Sequence, residues 1–327
     1  MATAEQIKAL LKSHGDGDDE LFYAVALQVA AHAARQGHGN LAQELRTLVD
    51  AARAVPEVAR PRATPVMVAQ PRGELAGILA ASYPRVRLDE MVVGDVARRQ
   101  LERLLREQRQ GERLRENGLR PRNRVLLVGP PGSGKTMTAA ALAGEMRLPL
   151  LTVQFDGLIT KFMGETAAKL RMVFDALEKT RGIYLFDEFD AIGGRRAATN
   201  DVGEIRRVLN SFLQFLEQER STSVIVAATN HPELLDRALF RRFDDVIEYG
   251  LPDAQMAERV VRTRLSSMDL DGLAWEKIAT AADGLNCAEI VGACDDVAKG
   301  LVLDERDAVA AEEIVEALRE RKAKLRL

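Results

Sequence analysis

The chain has 327 residues, 46% hydrophobic and 29% charged, with two cysteines and a formal net charge of −3. That is the composition of a soluble globular protein long enough for two or three domains, and the slight acidity carries no global signature of nucleic-acid or anionic-membrane binding. No run approaches the ~18 apolar residues of a membrane span, and MATAEQIKALL lacks the basic-then-apolar layout of a secretory signal.

Residues 3–54 read as helical. EQIKALLK, DDELFYAVALQVAAHAARQG and NLAQELRTLVDAAR each carry apolar residues at three- and four-residue spacing. The expectation is a small antiparallel bundle over 1–54 that recruits a partner or client. Residues 55–84 hold five of the eleven prolines and read as an extended linker, with GELAGILAAS able to form a short helix.

A helix is expected over roughly 95–117, and from there to Arg124 the chain carries ten arginines against four glutamates. Such a run is usually a solvated helix face; a partner-binding surface is the other reading, and the lack of interleaved aromatics disfavours nucleic acid. NRVLLVG, LPLLTVQF, GIYLFDE, SVIVAATN and DVIEYG then alternate with helical stretches. Short runs rich in Val, Ile and Leu are the pattern of a parallel sheet covered on both faces. From 253 to 327 the pattern is helical again. The fold class is therefore α/β: a parallel P-loop sheet with helices on both faces over 85–252, followed by a small all-helical lid and preceded by the bundle. Cys287 and Cys294 lie seven apart in a helical stretch, too far for a disulfide, and read as small core residues. Such thiols indicate a reducing, cytoplasmic setting. No histidine joins them at zinc spacing.

GPPGSGKT, residues 129–136, follows an apolar strand and opens the helix MTAAALAGEM. That context lets backbone amides and a helix N-terminus surround phosphate oxygens. The nucleotide-contacting candidates here are Pro131, Gly132, Ser133, Gly134, Lys135, Thr136 and Met137. Lys135 can reach the β- and γ-phosphates, and the Thr136 hydroxyl can ligate Mg2+. YLFDEFD brings Asp187 and Glu188 to a strand's carboxyl end. Asp187 is the magnesium candidate and Glu188 the residue that polarises water; a glutamate in that role favours ATP as the substrate. Asn230, at the end of VIVAATN, can orient the water or contact the γ-phosphate, although an asparagine there is commonly a turn residue. Arg241 and Arg242, in LDRALFRRFDDVI, precede another strand. Adjacent arginines usually face solvent, but transition-state charge needs a cation beyond Lys135, and an arginine finger from a neighbouring subunit would supply it.

Taken together, these motifs resemble those of AAA+ ATPases, and within them the AAA group of ring-forming protein remodellers. GPPGSGKT resembles Walker A, YLFDEFD Walker B, Asn230 sensor 1, and LDRALFRRFDD the second region of homology, without the usual Pro-Gly pair between its arginines. GLNCAEI resembles the lid segment that replaces a sensor 2 arginine: Gly284 and Ala288 match, whereas Cys287 stands where glycine is common. Val93 and Gly94 match the stretch whose backbone holds adenine. The resemblance covers about 85–320. It implies an ATP- and magnesium-dependent ring, expected to be hexameric, acting on a protein client. The leading region resembles that of bacterial AAA ATPases encoded beside a subtilisin-like serine protease, which would make such a protease a separate partner.

ITKFMGET, residues 159–166, resembles a pore loop of that group. Lys161, Phe162, Met163 and Gly164 would then grip the client. Burying one Phe gives only about 1.5–3 kcal/mol, a weak and sequence-tolerant hold that several loops would multiply. The expected function is a remodeller or translocase. The alternative is a nucleotide-controlled switch that restrains or activates a partner such as a protease.

Overall fold

The computed structural model describes residues 70–158, 165–190, 202–306 and 308–324, together with Ala26, Val29, Gln43 and Thr47. The chain divides into two units, Met1–Val68 and Ala69–Leu327. In the first, the four described residues are helical, and the Thr47 hydroxyl donates to the Gln43 carbonyl one turn back at 2.9 Å. The rest of the bundle expected over 1–54 lies outside the described residues, as do Lys161, Phe162, Met163 and Gly164.

In the second unit six strands form one sheet: β1 (Leu79–Ser82), β2 (Arg124–Val128), β3 (Leu150–Val153), β4 (Ile183–Phe186), β5 (Val224–Thr229) and β6 (Asp245–Glu248). Their order is β1-β3-β4-β5-β2-β6, parallel throughout except that β1 runs antiparallel to β3. The central strands are apolar at nearly every position, Arg124, Thr152 and Thr229 aside, because each face is covered. Val125, Leu127, Ile183, Leu185, Val224 and Val226 point into one core, with α1 (Asp95–Arg109) and α3 (Lys135–Met146). Leu126, Val128, Tyr184, Phe186, Ile225 and Ala227 point into the other, with α4 (Glu165–Lys179) and α5 (Val202–Gln218). The period-two alternation of a strand thus serves two hydrophobic layers. An α/β sheet of this kind matches the expected fold class.

Two local expectations differ from the structure. The first concerns GELAGILAAS: Gly73–Gly77 makes a 3-10 turn, and the residues after it become strand β1 rather than a helix. Ile78 and Leu79 are buried, and β1 pairs along the outer edge of β3, so an otherwise open edge is closed. The second is the helix expected over 95–117, which breaks at Gln110 into α1 and α2 (Gly111–Glu116). Gly111 is buried at the break, where a Cβ would lie 3.2 Å from Arg115 Nη2 and 3.6 Å from Pro121 Cγ.

Beyond the sheet, α6 (Ala254–Arg264), α7 (Trp275–Ala282), α8 (Cys287–Leu303) and α9 (Ala311–Lys324) pack around a core of their own. Cys294 is inside that core and Cys287 at its edge, both as free thiols, and burial pushes the Cys294 thiol up to about 12. Neighbouring residues join the two layers: Val93 belongs to the sheet core while Val92 packs against the lid. Among the described residues no helix is long and apolar enough to cross a membrane.

Candidate active site

β2 runs directly into the glycine-rich loop, and the loop into α3. Gly132 (φ 71°) and Gly134 (φ 99°) take the left-handed conformation that this turn requires and that side chains disfavour. Beside β2 lies β5, and beyond it β4. Their registers pair Val128 with Thr229 and Phe186 with Ala227. The loop, Asn230 and Asp187 therefore share one edge of the sheet, the carboxyl edge at which α/β folds bind ligands.

Lys135 is only 6% exposed. Its ammonium donates to the carbonyls of Gly129 and Pro130, both at 2.8 Å, and to Asn230 Oδ1 at 2.7 Å. All three partners are neutral. Burial pushes its pKa below the ordinary 10.5, opposed by the nearby charges of Asp187 and Asp190. A desolvated cation bonded only to dipoles fits an incoming polyphosphate. In the first turn of the helix, the Thr136 hydroxyl donates to Asp187 Oδ2 at 2.6 Å. That places side by side the two hard oxygen donors that a magnesium ion would find.

Glu188 follows with φ 52°, a left-handed conformation rare outside glycine. It is held there from both sides. The Glu188 amide donates to Asp187 Oδ1 at 3.0 Å, and the Phe189 amide donates to the Ala228 carbonyl at 2.8 Å. The Phe189 ring is fully buried, 4.7 Å from the ring of Phe212. The Glu188 side chain is left exposed at the sheet edge.

Residues 125–251 match the family described as ATPase family associated with various cellular activities (AAA). An uncharacterised AAA family ATPase of Sinorhizobium fredii is 32% identical over 320 residues, covering 98% of this chain and 96% of its own. The chain belongs to the AAA ATPase family. Its similarity to that relative takes in the N-terminal region as well as the sheet and lid. A proteasome-activating nucleotidase of Methanothermobacter thermautotrophicus is 35% identical over 209 residues, 62% of this chain and 51% of that one. An ATP-dependent zinc metalloprotease FtsH 2 of Sphaerobacter thermophilus is 33% identical over 216 residues, 64% of this chain and 33% of that one. This AAA ATPase thus matches about half the length of the nucleotidase and a third of the metalloprotease. It binds nucleotide and hydrolyses ATP.

The remaining candidates of this AAA ATPase sit around the same edge, apart from Arg241 and Arg242, which precede β6 toward the opposite, amino edge of the parallel strands. Val93 is buried, and Gly94 caps the start of α1 without a side chain. Ser133 is buried with its Oγ 3.5 Å from the Lys135 ammonium, while Pro131 and Met137 are exposed. The Ala288 amide, in the first turn of α8, donates to the Gly132 carbonyl at 3.0 Å. Arg241 and Arg242 stand on the turn before β6, and neither bonds to the loop, Lys135 or Asp187 among the described residues. Arg242 is ion-paired with Glu217 at the end of α5; Arg241 is exposed, with no partner among the described residues.

Four contributors are missed by reading the sequence. Asp190 accepts from the Thr229 hydroxyl at 2.9 Å, tying β4 to β5 next to Lys135. Asn286 crowds the phosphate loop so closely that a Cβ on Gly132 would lie 2.7 Å from its Oδ1. Tyr249 backs the loop: its hydroxyl is 2.7 Å from that of Thr138, and its backbone leaves no room for a side chain at Gly129. Glu217 holds Arg242. Asp190, inside YLFDEFD, and Asn286, inside GLNCAEI, fell within stretches legible in the sequence; Tyr249 and Glu217 come from segments distant in the chain.

Proposed function

We propose that this AAA ATPase works as a closed ring, a hexamer, in which each copy lends an arginine to the next, and that the ring remodels or threads a protein client. The observation that carries this reading is Arg241, which is exposed and has no partner among the described residues, while Arg242 is held within its own chain. A head-to-tail ring satisfies every such half-site at once. Within a site, Lys135 and the loop amides bind the phosphates, Glu188 polarises the attacking water and Asn230 fixes both. Thr136 and Asp187 hold the magnesium that neutralises phosphate charge. Val93, Gly94 and Ala288 flank the base and phosphates.

Two matched relatives bear names tied to proteolysis, one a proteasome-activating nucleotidase and the other a metalloprotease. They support a protein client, and a separate protease as partner. The second reading, a nucleotide-controlled switch, is supported by the lid contact from Ala288 to Gly132.

Phe162→Ala tests the first reading. If Lys161, Phe162, Met163 and Gly164 grip a client, the variant keeps its melting temperature and basal ATPase but loses client-stimulated turnover, and Phe162→Tyr retains much of it. A core phenylalanine would instead cost roughly 3–5 kcal/mol and depress the melt. Unimpaired client-stimulated turnover in Phe162→Ala, with nucleotide-dependent partner binding intact, would favour the switch.

A further inference from the structure

Within the arginine-rich stretch from 98 to 124, seven of the ten arginines fall into two sets in the folded chain, Arg99, Arg106 and Arg113 belonging to neither. Arg98, Arg103, Arg109 and Arg122 are taken up by ion pairs with Glu102, Asp245, Glu145 and Glu107 respectively. Those at its far end are not. Arg115, Arg120 and Arg124, joined by Arg220 from the segment after α5, line a cavity of about 280 Å³. It lies where β2 begins at Arg124, the opposite end of that strand from the phosphate loop. Among the described residues, none of these four guanidinium groups pairs with a carboxylate. Glu219 also lines the cavity, but it is 4% exposed, and its oxygens accept from the Ser221 amide and from Asn123 Nδ2 instead.

Arg124 supplies a second observation. Its Nη2 donates to the Glu219 carbonyl at 3.2 Å, yet its Nε is buried without any hydrogen-bond partner. Buried N–H groups in folded proteins nearly always have an acceptor. Arg98 Nε shares this condition away from the cavity, but that of Arg124 sits in a residue of the cavity wall, where a water or a group of another molecule would serve as acceptor.

We propose that this cavity docks an acidic segment of a partner polypeptide, at a site separate from the nucleotide. Carboxylates match the forked donors of guanidinium groups and form charge-assisted pairs with them. Leu119, 57% exposed on the cavity wall, gives the residues between the carboxylates an apolar contact. Nucleic acid suits the cavity poorly: no aromatic lines it to stack a base, and the Glu219 carboxylate sits in its lining. Docking here requires neither the ring nor the pore loop.

The test uses the full chain and a fluorescein-labelled peptide of alternating Glu and Ala, followed by anisotropy, with a Gln-Ala peptide and a thymidine oligonucleotide alongside. The acidic peptide should bind, more weakly as salt rises, and the neutral one should not. Arg115→Glu combined with Arg120→Glu should lower affinity by roughly tenfold or more, and Arg124→Lys, which keeps the charge but removes Nε, by several-fold. Basal ATPase should be unchanged in each. Should the double variant fail to fold, Arg124→Lys carries the test alone. Peptide affinity untouched by these substitutions would overturn the proposal. So would an oligonucleotide that binds as tightly as the peptide and is lost in the same variants.

Discussion

Lys135, held by two loop carbonyls and the Asn230 amide oxygen, carries a charge that burial disfavours and that its neutral partners only partly offset. Phosphate oxygens would relieve it, so Lys135→Ala should abolish nucleotide binding. Asn230→Ala should keep binding but free the ammonium to wander. A lost hydrogen bond to a charged group, about 1.5–3 kcal/mol, corresponds to a turnover drop of roughly 10- to 100-fold. Glu188→Gln should bind ATP normally and hydrolyse it ~10²–10⁴-fold more slowly, the usual contribution of a positioned base. Fluorescent-nucleotide titration and phosphate release measured on all three proteins separate these outcomes. Normal turnover in Glu188→Gln would remove that residue from the role. At this scale the sequence was most readable where one short stretch held the chemistry, as in GPPGSGKT and YLFDEFD. The roles of Asn286 and Tyr249 were unreadable because they reach the loop only through the packing of a lid helix and of β6.

Among the elements, the aromatic cluster under the end of β4 does the positioning. Phe212 touches three rings, with centroids 5.7 Å from Phe174, 5.2 Å from Phe186 and 4.7 Å from Phe189. Phe189 in turn fixes the left-handed turn at Glu188. Phe212→Ala should therefore cost roughly 3–5 kcal/mol as a cavity in the core, and should also slow hydrolysis in the surviving folded fraction more than it weakens nucleotide binding. A thermal melt with single-turnover hydrolysis checks both; a melt shift with untouched chemistry would confine Phe212 to stability. The four central strands could be read from the sequence because double burial makes them largely apolar. β1 could not, because LAAS has no β-branched or aromatic residue and becomes a strand through the free edge of β3 rather than by propensity. The break at Gln110 was equally hidden, since the packing of Gly111 against Arg115 and Pro121 arises only once the chain folds back.

For the whole molecule, a trans-acting arginine implies that activity depends on assembly. Arg241→Ala and Lys135→Ala should each be inactive alone and recover part of the turnover when mixed, because each supplies the half-site that the other lacks. Turnover per chain should also fall on dilution below the assembly range. No recovery, with turnover independent of dilution, would assign the whole site to one chain. Deleting residues 1–54 should leave a folded ATPase that no longer captures its partner. A truncation with dead ATPase would make the bundle part of the motor.

The single hydrogen bond from the Ala288 amide to the Gly132 carbonyl fastens the first turn of α8 to the phosphate loop. The helix behind that bond has 17 residues and so spans about 25 Å. It is a lever with a short arm and a long one. A tilt of about 0.1 radian at the phosphate end would carry the other end of that length through roughly 2.5 Å, about half a helical turn. A small shift of the loop on loss of a phosphate would be read at the far end of the lid helix as a displacement large enough to make or break contact with whatever lies against it.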